Sequence, residues 1–109
     1  MTEHLLIEKR HQEIMTNILK YYVAKNQVWV FGSRSGGSPK PHSDVDLVII
    51  DPPLISEKTL SLIRLELDDS NLPFRVDVSV WSQLSERFQR SVEAKHSILY
   101  LPTEEKSRS

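Results

Sequence analysis

The sequence contains no cysteine, so disulfides and thiolate metal sites are excluded and any metal must be held by nitrogen or oxygen ligands. No apolar run approaches the roughly 20 residues that a membrane span needs, and the N-terminus lacks the apolar core of a signal peptide. We therefore expect a cytoplasmic protein that makes no membrane contact. The net charge of −1 argues against a broad nucleic-acid surface, and no helix-turn-helix is legible, so DNA binding is not expected.

Glycine is scarce, and all three glycines fall in one segment, residues 32–43, whose sequence is GSRSGGSPKPHS. Two of the six prolines lie there as well, so this segment is predicted to be a loop. The 109 residues suffice for one compact domain with a hydrophobic core. We expect that domain to span residues 1–102 and residues 103–109 to form a disordered tail.

Hydrophobic periodicity predicts three helices and three strands, with one further apolar segment near the end. That last segment, Ile98–Leu101, is either a helix end or a docked extended segment. The predicted helices are Glu3–Lys25, Ser56–Asp68 with Ser56 as its N-cap, and a last helix that Ser82 caps and that carries Leu84, Phe88 and Val92. The predicted strands are Gln27–Phe31, Asp44–Ile50, which ends at the prolines 52 and 53, and Phe74–Val80.

Three aspartates occur where strand propensity disfavours them. Asp44 and Asp46 open the second strand, and Asp77 lies midway along the third. Period-two alternation places Asp44 and Asp46 on one face, and Asp77 points away from the core, so all three can converge if these strands pair. Clustered carboxylates repel one another unless a divalent cation such as Mg²⁺ binds them. The alternative is that each is a solvated aspartate at a strand end or a helix cap.

The loop before these aspartates has features of a phosphate site. Gly32 and Ser33 directly follow a strand, so backbone N–H groups and the serine hydroxyl can hold phosphate oxygens. Arg34 and Lys40 add positive charge, whereas His42 is interpreted as a solvated loop residue. A plain glycine-serine-proline connector remains the alternative.

Two tryptophans lie beside predicted strands. Trp29 lies in the first strand and Trp81 directly follows the third. We interpret both as packing residues, with stacking on a nucleotide base as the alternative.

Gly32-Ser33, ten intervening residues and Asp44-Val45-Asp46 form the pattern G-S-x10-D-x-D, which resembles the signature of the polymerase-β-type nucleotidyltransferases. Within that superfamily, the surrounding GSRSGGSPKPHSDVDLVI and the later NLPFRVDVSVW are similar to minimal nucleotidyltransferase (MNT) proteins. The resemblance implies an α+β fold in which helices pack on one face of a small mixed sheet and the carboxylates lie on the other.

The resemblance also implies a role for each site residue. Gly32 and Ser33 would contact the phosphates of the nucleoside triphosphate, and Arg34 fits the basic residue often found after them. Asp44 and Asp46 would ligate Mg²⁺. Asp77 would complete a second Mg²⁺ site beside the nucleophile.

MNT proteins are commonly antitoxins whose partner is a helical HEPN ribonuclease toxin. The resemblance therefore implies an Mg²⁺-dependent adenylyltransferase that moves AMP from ATP to a tyrosine of such a toxin. The competing hypothesis is a non-catalytic antitoxin that neutralises its toxin by forming a complex. A small-molecule nucleotidyltransferase of the aminoglycoside-modifying kind ranks last, because such enzymes generally carry an additional helical domain.

Overall fold

The computed structural model describes residues 7–32 and 44–102, and this described part includes three α-helices, four β-strands and a short 3₁₀ helix after the third strand. In chain order these elements are α1 (Lys9–Val23), β1 (Gln27–Phe31), β2 (Val45–Ile50), α2 (Glu57–Asp68), β3 (Val76–Val80), the 3₁₀ helix (Trp81–Gln83), α3 (Glu86–Ala94) and β4 (His96–Tyr100). Among these residues, no helix combines the length and apolar character that crossing a membrane requires.

The four strands form one mixed sheet in the order β3-β2-β1-β4. β1 pairs antiparallel with both β2 and β4, whereas β2 and β3 run parallel. Parallel neighbours need a long crossover, and α2 supplies it between β2 and β3. The mixed sheet with helices that the resemblance implied is confirmed.

The core lies between one face of the sheet and the helices α1 and α2. Alternate residues of the strands point into it, as period-two patterning requires. Removing each such aliphatic side chain from water contributes about 1.5–3 kcal/mol before the entropy of ordering is subtracted. Its central members are Met15, Leu19, Val28, Val30, Leu47, Ile49, Ile63 and Val80.

The opposite face of the sheet carries Asp46 and Asp77, together with aromatic residues of β1. α3 covers part of this face, because Phe88 packs edge-to-face on Phe31 with ring centroids 5.6 Å apart. The predicted separation therefore holds for the two larger helices, while α3 forms a wall beside the aspartates.

Several predicted boundaries change in the structure. α1 occupies Lys9–Val23 rather than Glu3–Lys25, and the first six residues of the chain lie outside the described part. Both aspartate-bearing strands are shorter than predicted, since they begin at Val45 and Val76. The alternatives for Ile98–Leu101 resolve in favour of an extended segment, because β4 pairs with β1 as an edge strand. The disordered tail predicted for residues 103–109 lies outside the described residues.

The predicted cap of the last helix is wrong. Ser82 lies in the 3₁₀ helix, and the side chain of Ser85 accepts a hydrogen bond from the backbone N–H of Phe88 at 3.1 Å. Leu84 precedes α3 instead of belonging to it. The error arose because Leu84, Phe88 and Val92 are spaced four residues apart, as on one helical face, although Leu84 lies before the first helical turn. The predicted cap at Ser56 is confirmed, since its hydroxyl accepts from Thr59 N–H at 3.1 Å.

Candidate active site

Two of the three predicted aspartates are brought together by strand register. β2 and β3 pair so that the α-carbon of Asp46 lies opposite that of Asp77. Neighbouring strands are about 4.7–4.9 Å apart, and residues opposite each other in a ladder present their side chains on the same face. Asp46 is half-buried and Asp77 is exposed. The two carboxylates therefore share one face at the start of the parallel pair.

Asp44 lies one residue before β2 and is exposed. Its influence reaches the pair, because the pKa of Asp46 is raised, first by burial and then by the negative charges of Asp77 and Asp44. Each cause disfavours the ionised form of Asp46. Burial and the two neighbouring carboxylates thus disfavour the ionised form of Asp46, and a bound cation would favour it.

Gly32 closes the site from the end of β1. It has a positive φ of 80°, a conformation that side-chain-bearing residues rarely adopt. A Cβ atom added there would lie 2.6 Å from Oδ2 of Asp46, far inside van der Waals contact. The predicted glycine therefore lies so close to the predicted aspartate that no side chain fits between them. Ser33, Arg34, Lys40 and His42 lie outside the described residues.

An open cleft surrounds Asp46 and has two lobes. The Asp77 lobe has a volume of about 650 Å³ and the Gly32 lobe about 490 Å³. Residues lining only the Asp77 lobe are Arg64, Asp68, Arg75, Val76, Asp77, Val78 and Ser79. Those lining only the Gly32 lobe are Gly32, Ser91, Val92 and Lys95. Phe31, Asp46 and Phe88 line both lobes, so this trio forms the boundary between them.

Sequence reasoning missed the cationic residues of the cleft. Arg64 is anchored, since its Nη2 donates a 2.7 Å hydrogen bond to the carbonyl of Val78 in the edge strand β3. Arg75 directly precedes β3, and Lys95 directly follows α3. A search of helical faces could have found Lys95, whose spacing from Phe88 is two helical turns. Phe88, predicted from the sequence to lie in the last helix without a role at the site, lines both lobes.

The donor chemistry of the site fits a divalent metal. Mg²⁺ prefers oxygen ligands. A cation would also favour the ionised form of Asp46, whose pKa is raised by burial and by the neighbouring carboxylates. Within residues 7–32 and 44–102, however, no three acidic or histidine side chains are arranged so that they could hold one ion together. The charge and ligand type therefore suit Mg²⁺, and a joint three-carboxylate site is not preformed in this part of the chain.

Trp29 and Trp81 pack on each other away from the cleft, with ring centroids 5.4 Å apart. Trp29 also stacks on His96 at 3.9 Å, and its indole N–H donates to Oε1 of Gln27. Neither tryptophan lines a lobe of the cleft. The arrangement agrees with the packing interpretation of both residues.

Comparison with known proteins identifies relatives of this chain. The family model described as "Polymerase beta, Nucleotidyltransferase" matches residues 13–105. A curated relative, "Probable protein adenylyltransferase MntA" of Haemophilus influenzae, is 31% identical over 101 residues, which cover 91% of this chain and 89% of the relative.

Solved structures share the fold. A structure described as "Crystal structure of the toxin-antitoxin with AMP-PNP" superposes with a TM-score of 0.69 at 18% identity, covering 88% of this chain and 76% of that chain. One of the toxin-antitoxin MntA-HepT gives a TM-score of 0.66 at 15% identity, covering 86% of this chain and 73% of the other. At this level of identity the superpositions establish the fold, and they confirm the fold that the sequence resemblance implied.

Proposed function

This chain belongs to the polymerase beta nucleotidyltransferase family, and we propose that it is an Mg²⁺-dependent adenylyltransferase that modifies a tyrosine of a HEPN-type toxin. The observation that carries the proposal is the close approach of Gly32 to Asp46, which itself lies in register with Asp77. This arrangement joins a positive-φ backbone turn, which could bind phosphate, to paired carboxylates. That combination suits the transfer of a nucleotide from a triphosphate.

In the proposed reaction the phosphates of ATP bind the backbone at Gly32 and Ser33, with Arg34 beside them. The tyrosine oxygen attacks the α-phosphorus and forms a new phosphodiester bond. The bond from the α-phosphorus to the oxygen that bridges it to the β-phosphorus breaks, and pyrophosphate leaves with that oxygen. The phenolic proton passes to the carboxylate of Asp77.

Metal binding in this scheme falls to Asp44, Asp46 and Asp77, with two Mg²⁺ ions in total. When bound, Mg²⁺ neutralises negative charge on the phosphates and lowers the pKa of a coordinated hydroxyl. That second effect matters here because a tyrosine has a pKa of about 10 and is mostly protonated at neutral pH. Asp46 is half-buried and lines both lobes of the cleft, so its carboxylate would be available to such an ion from either lobe.

Three observations support a protein as the acceptor. A relative is named a probable protein adenylyltransferase, and solved structures with the same fold are toxin-antitoxin complexes. In addition, the cleft is open, and the Asp77 lobe at the edge of the sheet is wide enough to admit a side chain from another molecule. A tyrosine offered by a HEPN partner would approach Asp77 from that side.

The test is a transfer assay with ATP labelled on its α-phosphate, Mg²⁺ and the protein encoded next to this chain. We expect acid-stable label on that partner, and hydrolysis of the labelled protein should place it on a tyrosine. Asp77→Asn should reduce the transfer at least about 100-fold, the lower range for losing an acid–base group. Glu13→Gln, which removes an exposed carboxylate of α1, is the matched control and should retain full transfer.

The competing hypothesis, a non-catalytic antitoxin, predicts a different pattern. In that case the partner would remain unlabelled, yet it would still be bound and inhibited by the wild type and by Asp77→Asn alike. Label on a nucleotide or other small molecule in the absence of the partner would instead favour a small-molecule substrate.

A further inference from the structure

α3 presents one continuous side to the Gly32 lobe. Phe88, Ser91, Val92 and Lys95 follow the i, i+3, i+4, i+7 spacing of a single helical face, and all four line that lobe. Val92 is 2% exposed and fixes the helix against the body of the domain. Phe88 is 41% exposed and packs on Phe31, so only part of its ring is covered. The rest of this face is open to a ligand.

Lys95 is the cationic member of this face. It lies at the C-cap of α3, and its backbone N–H bonds to the carbonyl of Val92 at 3.1 Å, which fixes the origin of the side chain. Its ammonium group makes no ion pair with any residue of the described part of the chain. An ammonium group near a helix C-terminus is favoured by the helix dipole, but that interaction leaves its hydrogen-bonding capacity unused.

The charge of the Gly32 lobe gives this lysine a role. Asp46 lies on the boundary of the lobe, and a nucleoside triphosphate bound there would add further negative charge. Bound Mg²⁺ offsets part of that charge, while Gly32 offers only backbone dipoles. Lys95 and Gly32 line the same lobe. Because the lysine side chain is flexible, its ammonium group can reach the oxygens of a polyphosphate that extends from Gly32 into this lobe.

We infer that the Gly32 lobe is the nucleotide half of the cleft and that Lys95 binds the polyphosphate of the nucleotide from the α3 side. This inference rests on the proposed function, because it takes Gly32 as a phosphate-binding turn. It adds a residue from a second element, so that phosphates are held between β1 and α3. The Asp77 lobe is then left free for the acceptor.

The test measures nucleotide binding alone, so it needs no partner protein. Isothermal titration of the full chain with ATP and Mg²⁺ should give a dissociation constant about tenfold weaker for Lys95→Ala than for the wild type, as expected for the loss of one charge-assisted contact. Lys95→Arg should bind within about threefold of the wild type, since it keeps the charge. AMP lacks the outer phosphates, so its weaker binding should change less than that of ATP in Lys95→Ala.

Lys58→Ala is the matched control, because Lys58 is an exposed lysine in the first turn of α2 and lies outside both lobes. It should bind ATP like the wild type. The inference is overturned if Lys95→Ala retains wild-type affinity, or if Lys58→Ala loses as much, which would indicate a general charge effect. If the wild type binds ATP but Lys95→Ala behaves normally, only this inference fails. If the wild type binds no ATP at all, the proposed function fails with it.

Discussion

At the scale of single residues, Gly32 has the most sharply defined requirement. Its positive φ costs any other L-residue roughly 1–2 kcal/mol, and a Cβ would collide with Oδ2 of Asp46 at 2.6 Å. Gly32→Ala should therefore lower the free energy of unfolding by about 1–3 kcal/mol, most of it from the backbone conformation, and displace the carboxylate, which is the end of a side chain that can turn aside. Urea denaturation measures the first effect, and AMP transfer to the partner, which should fall as well, measures the second.

A double-mutant cycle separates the two causes of that loss. In an Asp46→Ala background the collision is absent, so Gly32→Ala should cost only the backbone term. We expect a coupling of at least about 0.5 kcal/mol between the two substitutions. Equal costs in both backgrounds would mean that the carboxylate moves aside freely and that the close approach carries no energy.

The aspartates were predictable because their residue type conflicts with their secondary structure. Aspartate is disfavoured in strands, so its appearance at positions 46 and 77 pointed to a site before any register was known. What the sequence could not provide is which side chains from other elements face them. Arg64, Arg75 and Lys95 come from segments whose charges look like ordinary solvated positions until α2 and α3 are docked.

At the scale of elements, the start of α3 depends on a choice between two serines three residues apart. Ser85 caps the helix, whereas the backbone N–H of Ser82 donates a 3.0 Å hydrogen bond to Oδ1 of Asp51. Ser85→Ala should therefore reduce the free energy of unfolding by about 0.5–2 kcal/mol. Ser82→Ala keeps the backbone donor and should stay within about 0.5 kcal/mol of the wild type. Chemical denaturation of both variants checks this, and an equal loss in the two would contradict the assignment of the cap.

Predictability at this scale follows the range of the interactions. The cap at Ser56 and the strand Gln27–Phe31 depend on local chemistry and were found with their limits correct. The extent of β4 depends on pairing with β1, a strand some 70 residues earlier in the chain, so an apolar run alone left helix and strand open. The prediction of the α3 cap failed for a similar reason, because the local spacing of apolar residues could not show that Leu84 precedes the helix.

At the scale of the whole molecule, the fold concentrates negative charge at one end of its parallel strand pair. The hydrophobic core between the sheet and the helices α1 and α2 supplies stability that does not depend on that charge. Asp46 lies on the other face, where burial and the charges of Asp77 and Asp44 make its ionised form oppose folding in the absence of a cation. One face of the sheet therefore stabilises the fold, and the other carries the candidate site. The unfavourable electrostatic energy of the site lowers the free energy of unfolding of the whole protein, so a denaturation experiment can detect it.

Asp46→Asn should make the metal-free protein more stable at neutral pH, by about 0.2–1 kcal/mol, the range for charge pairs across strands. Burial and the charges of Asp77 and Asp44 raise the pKa of Asp46 in the folded state above its ordinary value of 3.8. The ionised carboxylate therefore destabilises the fold fully above the raised pKa, and the penalty disappears as the pH falls below the ordinary value. The stability advantage of Asp46→Asn should accordingly shrink on acidification, and excess Mg²⁺ should stabilise the wild type but not the variant.

Thermal denaturation with and without Mg²⁺ across this pH range measures each effect, with Glu13→Gln as an exposed control that should follow the wild type. The prediction is contradicted if metal-free Asp46→Asn is no more stable than the wild type, or if its stability advantage grows as the pH falls. Either result would show that the ionised carboxylate of Asp46 does not destabilise the folded protein.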